Sequence, residues 1–211
     1  MSLTNLLKEH ADQSAAKFPE EVKAVMQKAI ENLEDSKLTA EALKTGDIFP
    51  SFNLPNAKGN VINSTKLLDQ GDLVVAFYRG GWCPYCNIEL KALQSVLPQI
   101  KEKGAQLIAI SPESPDNSLT TQEKNELSFE VLTDKDNNFS RDLNLVYKLP
   151  DSLIALYNKF GINLENSQGN SNSELPIAAT YVLDSNGKIK YHFLQEDYKL
   201  RADPSDILKV L

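Results

Sequence analysis

Phe77-Tyr78-Arg79-Gly80-Gly81-Trp82-Cys83-Pro84-Tyr85-Cys86 is the stretch around which the chain is organised, and it holds the only two cysteines of the 211 residues. On its N-terminal side Asp72-Leu73-Val74-Val75-Ala76-Phe77 is a near-continuous apolar run, the mark of a strand buried on both faces. On its C-terminal side Ile88, Leu90, Leu93, Val96, Leu97 and Ile100 recur at helical spacing as far as Gly104. A C-x-x-C that closes a buried strand and opens a helix has the context of a redox dithiol.

Ala105-Gln106-Leu107-Ile108-Ala109-Ile110-Ser111 reads as the next buried strand. Strand, helix and strand in this order predict a right-handed parallel crossover of an α/β protein. The cysteines then lie at the carboxyl end of the first strand, where the ligand and catalytic loops of open α/β sheets gather. Pro84 suits the first helical position, which puts Cys83 at the N-cap and Cys86 in the first turn. Exposed N–H groups at the positive end of a helix favour a thiolate, and Arg79 adds a full charge nearby, so at least one thiol is expected to titrate below a free cysteine. One sulfur can then attack a substrate and the other resolve the mixed disulfide or sulfenic acid.

Two blander readings stand beside this one. C-x-x-C is also a zinc knuckle, but the two further ligands would have to come from His10 and His192, which are in no ligand-spaced cluster. Alternatively the thiols are inert and buried, although Pro84 and the flanking glycines predict an exposed turn. Trp82 and Tyr85 offer an apolar docking surface beside the thiols, or simple packing. Glu89 reads either as a buried carboxylate assisting proton transfer or as a first-turn partner of the helix dipole. No Ser/His/Asp arrangement and no phosphate-binding glycine loop is legible, and no metal or cofactor is expected.

Upstream, residues 1–45 read as a helical extension. Val22, Val25, Met26, Ala29, Ile30 and Leu33 form an apolar stripe after Phe18-Pro19-Glu20-Glu21, which places Pro and acids in a first turn. That stripe must bury against the main domain or against a second subunit, which makes a homodimer through these helices possible. Residues 46–211 read as one domain. A hairpin is expected around Asn56-Ala57-Lys58-Gly59-Asn60, then a short helix capped by Ser64 and stopped at Gly71.

Further on, a helix is expected from Ser114 to about Asn125, a strand over Phe129-Glu130-Val131-Leu132-Thr133, and a helix from Leu153 to Gly161. Asn166 to Ser173 is too polar to be core and reads as an exposed loop. Asp184-Ser185-Asn186-Gly187 is the strongest hairpin signal, between Thr180-Tyr181-Val182-Leu183 and Lys188 to Phe193, and a last helix runs from Pro204.

Net charge −7 and the lack of a basic run speak against nucleic acid. The N-terminus shows no basic and apolar leader, and no apolar stretch reaches spanning length, so neither export nor membrane insertion is expected. Two cysteines at this spacing build no disulfide framework, which fits a reducing cytoplasm.

Taken together, Gly46 to Leu54, Phe77 to Leu90, Ala109-Ile110-Ser111-Pro112-Glu113, Thr180-Tyr181-Val182-Leu183-Asp184 and Asp197-Tyr198 resemble the alkyl hydroperoxide reductase and thiol-specific antioxidant family. The resemblance is to its peroxiredoxin-like branch with a thioredoxin-style C-x-x-C, and it covers residues 46–211. It implies a thioredoxin-like fold, a central mixed sheet flanked by helices, and an antioxidant oxidoreductase. Peroxide or organic hydroperoxide would be reduced through a Cys83/Cys86 disulfide cycle regenerated by a thioredoxin-like reductant.

Matched from Phe77, the family's P-x-x-x-T-x-x-C places its attacking cysteine at Cys86, with Arg79 at the proline and Cys83 at the threonine. The family's arginine falls at Ala178. The thioredoxin comparison instead makes Cys83 the attacking thiol and Cys86 the resolver, with a protein disulfide as substrate. A redox-silent binding module is the third reading.

Overall fold

A computed structural model of the chain describes residues 2–211. Two helices, α1 (Leu3–Lys17) and α2 (Glu20–Ser36), form the N-terminal extension and are separated at Phe18-Pro19. Phe18 is extended, as a residue before proline must be, and Pro19 caps α2 without a side-chain bond. A hairpin follows, β1 (Asn53–Pro55) with β2 (Val61–Asn63), then α3 (Ser64–Leu68) and β3 (Leu73–Phe77). The cap of α3 is Asn63, whose side chain accepts from the Lys66 N–H, and not Ser64. The Ser64 hydroxyl is occupied elsewhere, accepting from the Phe52 N–H at 2.9 Å.

The crossover is α4 (Pro84–Glu102) between β3 and β4 (Gln106–Ser111). Next come α5 (Pro115–Lys124), β5 (Glu130–Thr133), α6 (Asn138–Asp142), β6 (Val146–Lys148), α7 (Asp151–Lys159) and α8 (Leu164–Gln168). The chain ends with β7 (Glu174–Pro176), β8 (Thr180–Leu183), β9 (Ile189–Phe193) and α9 (Pro204–Val210). The central sheet has the order β5-β4-β3-β8-β9, with β3, β4 and β5 parallel and β8 and β9 antiparallel. It is the mixed α/β sheet, flanked by helices, that the sequence predicts.

Strand alternation sends the apolar runs to two separate cores. Val74, Ala76, Leu107 and Ala109 face α1, α4 and α9, whereas Leu73, Val75, Phe77, Ile108 and Ile110 face the Phe49, Phe52 and Phe139 side. Every residue of β3 is buried, and each large aliphatic side chain so removed from water contributes about 1.5–3 kcal/mol before chain entropy is counted. A third cluster joins α7 to the apolar stripe of α2, where Val22, Val25, Met26 and Ala29 pack against Leu153, Leu156 and Tyr157. Leu3 and Leu7 of α1 are buried against α4. The stripe of α2 therefore packs on α7 of the same chain.

The segment expected as an exposed loop is only partly one. Ser167 and Gln168 are buried at the end of α8, because the Ser167 carbonyl accepts from the Ser114 N–H at 2.9 Å and Gln168 Nε2 donates to the Glu174 carbonyl at 3.0 Å. Ser167 is satisfied by partners distant in sequence, which composition cannot reveal, and Gln168 by a carbonyl six residues on. Among the described residues no helix is long and apolar enough to cross a membrane.

Candidate redox site

Helix α4 begins as the sequence requires. Cys83 is its N-cap in extended conformation (φ −87°, ψ 117°), Pro84 takes the first turn, and Cys86 follows within that turn. Both thiols are unpaired. Pro84 is exposed, but the sulfurs are not: Cys83 and Cys86 are 1% and 0% accessible. The N-terminal helices contribute on the Cys83 side. They cover the start of α4, with His10 of α1 edge-on to the Tyr85 ring at 4.9 Å, and leave a groove of about 740 Å³ between α1, α2, α4 and α7. Cys83 and Pro84 belong to the wall of that groove, while Cys86 does not.

Cys86 is turned towards the far end of the chain. Arg201, in the segment between β9 and α9, donates from Nη2 to Cys86 Sγ at 3.3 Å and from Nε to Glu89 Oε2 at 2.6 Å. Its Nη1 donates to the carbonyls of Tyr198 and Leu200. Arg201 and Glu89 are almost wholly inaccessible. Glu89 is thus no dipole partner of the first turn; it lies in the second turn, on the apolar face of α4 with Leu90 and Leu93, and burial pushes its carboxyl up to about 7 against the pull of Arg201.

Arg79 is held differently. Its side chain is buried, Nη2 donates to the Tyr157 hydroxyl, and its guanidinium carbon lies 4.3 Å from the centre of the Tyr198 ring and 5.0 Å from that of Trp82. Among the described residues no carboxylate pairs with it, and its Nε has no hydrogen-bond partner. Trp82 is half-buried, tilted against Tyr157 at 5.4 Å, so it packs Arg79 as well as lining the groove. Two buried guanidinium groups accordingly face one carboxylate and two thiols, and a thiolate is the natural counter-charge for the second.

The thiols respond to this field as a pair. Burial pushes Cys83 up, but its hydrogen bond with Cys86 and the charges of Arg79 and Arg201 outweigh burial and hold it at about 6. Burial, the hydrogen bond with Cys83 and the negative charge there hold Cys86 well above the ordinary thiol value. One proton leaves the pair easily and the second does not.

The glycines of the motif allow close approach. A Cβ on Gly81 would lie 2.0 Å from Thr121 Oγ1. The Gly81 N–H donates to Glu113 Oε2 at 2.9 Å, and Glu113 also accepts from the hydroxyls of Thr121 at 3.2 Å and Ser167 at 3.0 Å. This buried carboxylate ties the cysteine turn to α5 and α8.

The residues singled out from the sequence, Arg79, Trp82, Cys83, Pro84, Cys86 and Glu89, come together in one place. Ala178, at the position of the family's arginine, is buried beside β8 and carries no charge. Sequence reasoning missed Arg201 and Glu113. The only local signals were Asp197-Tyr198 just before the first and the Ser111-Pro112-Glu113 strand end for the second. His192 Nδ1 accepts from the Thr45 N–H at 3.0 Å, and among the described residues no group of three or more His, Cys, Asp or Glu side chains converges.

The model of the AhpC/TSA family matches residues 45–192. Peroxiredoxin Bcp of Escherichia coli K12 is 27% identical over 157 residues, 74% of this chain and 88% of that protein. The chloroplastic peroxiredoxin Q of Oryza sativa subsp. japonica is 24% identical over 176 residues, 83% of this chain and 70% of that protein. Among solved structures, peroxidoxin BcpB of Mycobacterium tuberculosis superimposes with a TM-score of 0.63 at 19% identity, covering 80% of this chain and 96% of that one. The α/β sheet and its flanking helices are the thioredoxin-like fold of these proteins, and with the family model spanning well over half its length the chain belongs to the AhpC/TSA family.

Proposed function

We propose that the protein is a thiol-dependent peroxidase in which Cys83 attacks the peroxide and Cys86 resolves. The observation that carries the assignment is the division of the two sulfurs. Cys83 forms part of the groove wall, whereas Cys86 is held behind it by Arg201. The Cys83 thiolate displaces the O–O bond of a hydroperoxide, taking the terminal OH as a sulfenic acid; the alkoxide or hydroxide that leaves takes a proton from water. The Cys86 thiol then attacks the sulfenic sulfur, water departs, and the disulfide is reduced by an external thioredoxin-like dithiol. Arg79 and Arg201 stabilise the thiolate, and Pro84 and Trp82 shape its surroundings.

In this reading residues 46–211 carry the chemistry in a reducing cytoplasm and residues 1–45 cover it, with the outer faces of the N-terminal helices as the place for any homodimer contact. The test is sulfenic acid trapping with dimedone after one equivalent of hydrogen peroxide. Cys86→Ser should form the adduct at Cys83, and Cys83→Ser should not. Two free thiols in the native protein after minutes with peroxide would overturn the function, and an adduct confined to Cys83→Ser would reverse the roles.

A second reading, protein disulfide reduction, draws on the same N-cap position of Cys83. Catalysed insulin reduction by dithiothreitol, with a peroxide reaction no faster than that of a free thiol, would favour it.

A further inference from the structure

Arg79 reaches a second cavity besides the groove over Cys83. This cleft, about 330 Å³ in volume, lies between the C-terminal half of α2, the segment that joins β6 to α7, and α7 itself, and neither cysteine belongs to its wall. Ile30, Leu33, Leu149 and Leu153 make part of it apolar, and Tyr147, Tyr157 and Tyr198 join Arg79 in the rest. Burial raises all three phenols, and the Arg79 charge pulls each of them back. Among the described residues the side chain of Arg79 makes one hydrogen bond, to the Tyr157 hydroxyl, and its Nε is buried without a partner. A buried guanidinium with no carboxylate beside it is an incomplete ion pair.

Two further charged side chains stand in the wall. Lys148 is exposed and, among the described residues, pairs with no carboxylate. Glu196 is half-buried and accepts from the Thr39 hydroxyl. Two cations therefore face one carboxylate, and an anion entering the cleft meets net attraction.

We infer that this cleft is a binding site for a small monocarboxylate with a compact apolar body, whose carboxylate meets Arg79 and whose body lies against α2 and α7. A volume near the lower end for small-molecule sites suits a body of about six carbons. An inorganic anion would leave the apolar wall unused. The carboxylate and the Cys83 thiolate share Arg79 as a counter-charge, so each weakens the other by the same factor. The protein with an ionised Cys83 thus releases the ligand, and a form without the thiolate, such as the Cys83–Cys86 disulfide, holds it. The site stands apart from the identity of the oxidant.

The test is isothermal titration calorimetry of the full chain with cyclohexanecarboxylate, at a pH where Cys83 is ionised. Saturable one-to-one binding is expected, with cyclohexanecarboxamide and inorganic phosphate each bound about tenfold or more weakly. Leu33→Trp, at a half-buried position outside the three apolar clusters, should fill the cleft and lower the affinity about tenfold with an unchanged circular dichroism spectrum. Lys148→Glu should weaken binding as well. Ala24→Trp, which lines the groove over Cys83 and not the cleft, should leave it unchanged. Cys83→Ser should bind about fivefold more tightly than the native protein, and saturating ligand should move the inflection of Cys83 alkylation upward.

No saturable heat, or equal affinity for the carboxamide, overturns the site, and equal affinity for phosphate overturns the apolar body. Binding retained in Leu33→Trp overturns the location, and loss in Ala24→Trp alone puts the anion beside Cys83 instead. Equal affinity of Cys83→Ser and the native protein overturns the shared counter-charge. None of these measurements needs turnover, so failure of the peroxidase reading is seen separately, by sulfenic acid trapping.

Discussion

Arg201 and Cys86 are 115 positions apart in the chain, yet Nη2 of one donates to Sγ of the other at 3.3 Å while the same guanidinium grips Glu89 at 2.6 Å. A single cation thus joins the thiol pair to a buried carboxylate. Removing it strands Glu89 without a counter-charge, and breaking such a buried pair costs about 3–5 kcal/mol. Arg201→Met should lose stability of that order in urea unfolding. Arg201→Lys should recover only part, because one ammonium cannot serve Nε and Nη2 contacts at once. Glu89→Gln, which keeps an acceptor for Nε, should lose less than Arg201→Met.

The pH dependence follows from the paired thiols. With Cys83 at about 6, its alkylation by iodoacetamide should rise with pH through that value and level off above it. Arg79→Leu should move the inflection upward, since one of the charges favouring the thiolate is lost. Stability follows the same sign. A thiol whose folded value is depressed stabilises the fold above its unfolded value, about 8.5, and this contribution is lost as pH falls through 6. Glu89 acts oppositely: its carboxyl is raised to about 7, so its contribution is full below the unfolded value and lost as pH rises through 7. The difference in unfolding free energy between the native protein and Cys83→Ala should therefore widen between pH 6 and 8.5.

Glu113 is the anchor of the cysteine turn. In Glu113→Ala the Gly81 N–H and the Thr121 and Ser167 hydroxyls lose their acceptor, at about 1–3 kcal/mol for each donor that finds no other partner. A fall in melting temperature together with a slower peroxide reaction is expected. Lowered stability with an unaltered reaction rate would show that the anchor does not position the thiols.

Gly81 stands where no side chain fits. Gly81→Ala would bring its Cβ to 2.0 Å from Thr121 Oγ1 and 3.1 Å from Thr121 Cβ, and overpacking of this kind costs about 1–3 kcal/mol. Adding Thr121→Gly should recover part of that loss by removing both atoms. A double-mutant cycle by chemical denaturation measures the coupling between the two positions.

Much of the architecture was legible because it rests on local rules. The apolar run of β3, the periodicity of α4, Pro84 at its start and the Asp184–Gly187 turn each act within a few residues, and each element stands where its pattern predicts. The capping of α3 escaped because Ser64 and Asn63 are equally good caps, and a contact with Phe52 decided between them. Ser167 escaped because a polar residue reads as solvated until a distant partner satisfies it, and Gln168 because its partner, Glu174, lies just beyond the polar stretch.

What the sequence determined by itself was the dithiol: two cysteines on the first turn of a helix behind a buried strand, with Arg79 four residues upstream of Cys83. Only the tertiary structure decided how the two sulfurs differ. It brought Arg201 to Cys86 and Glu89, laid α1 and α2 over Cys83, and buried both sulfurs in a turn whose proline stays exposed. The reason is physical: helix caps and strand alternation are set by neighbours in the chain, whereas burial and charge are sums over everything within a few ångströms, whatever its place in the sequence.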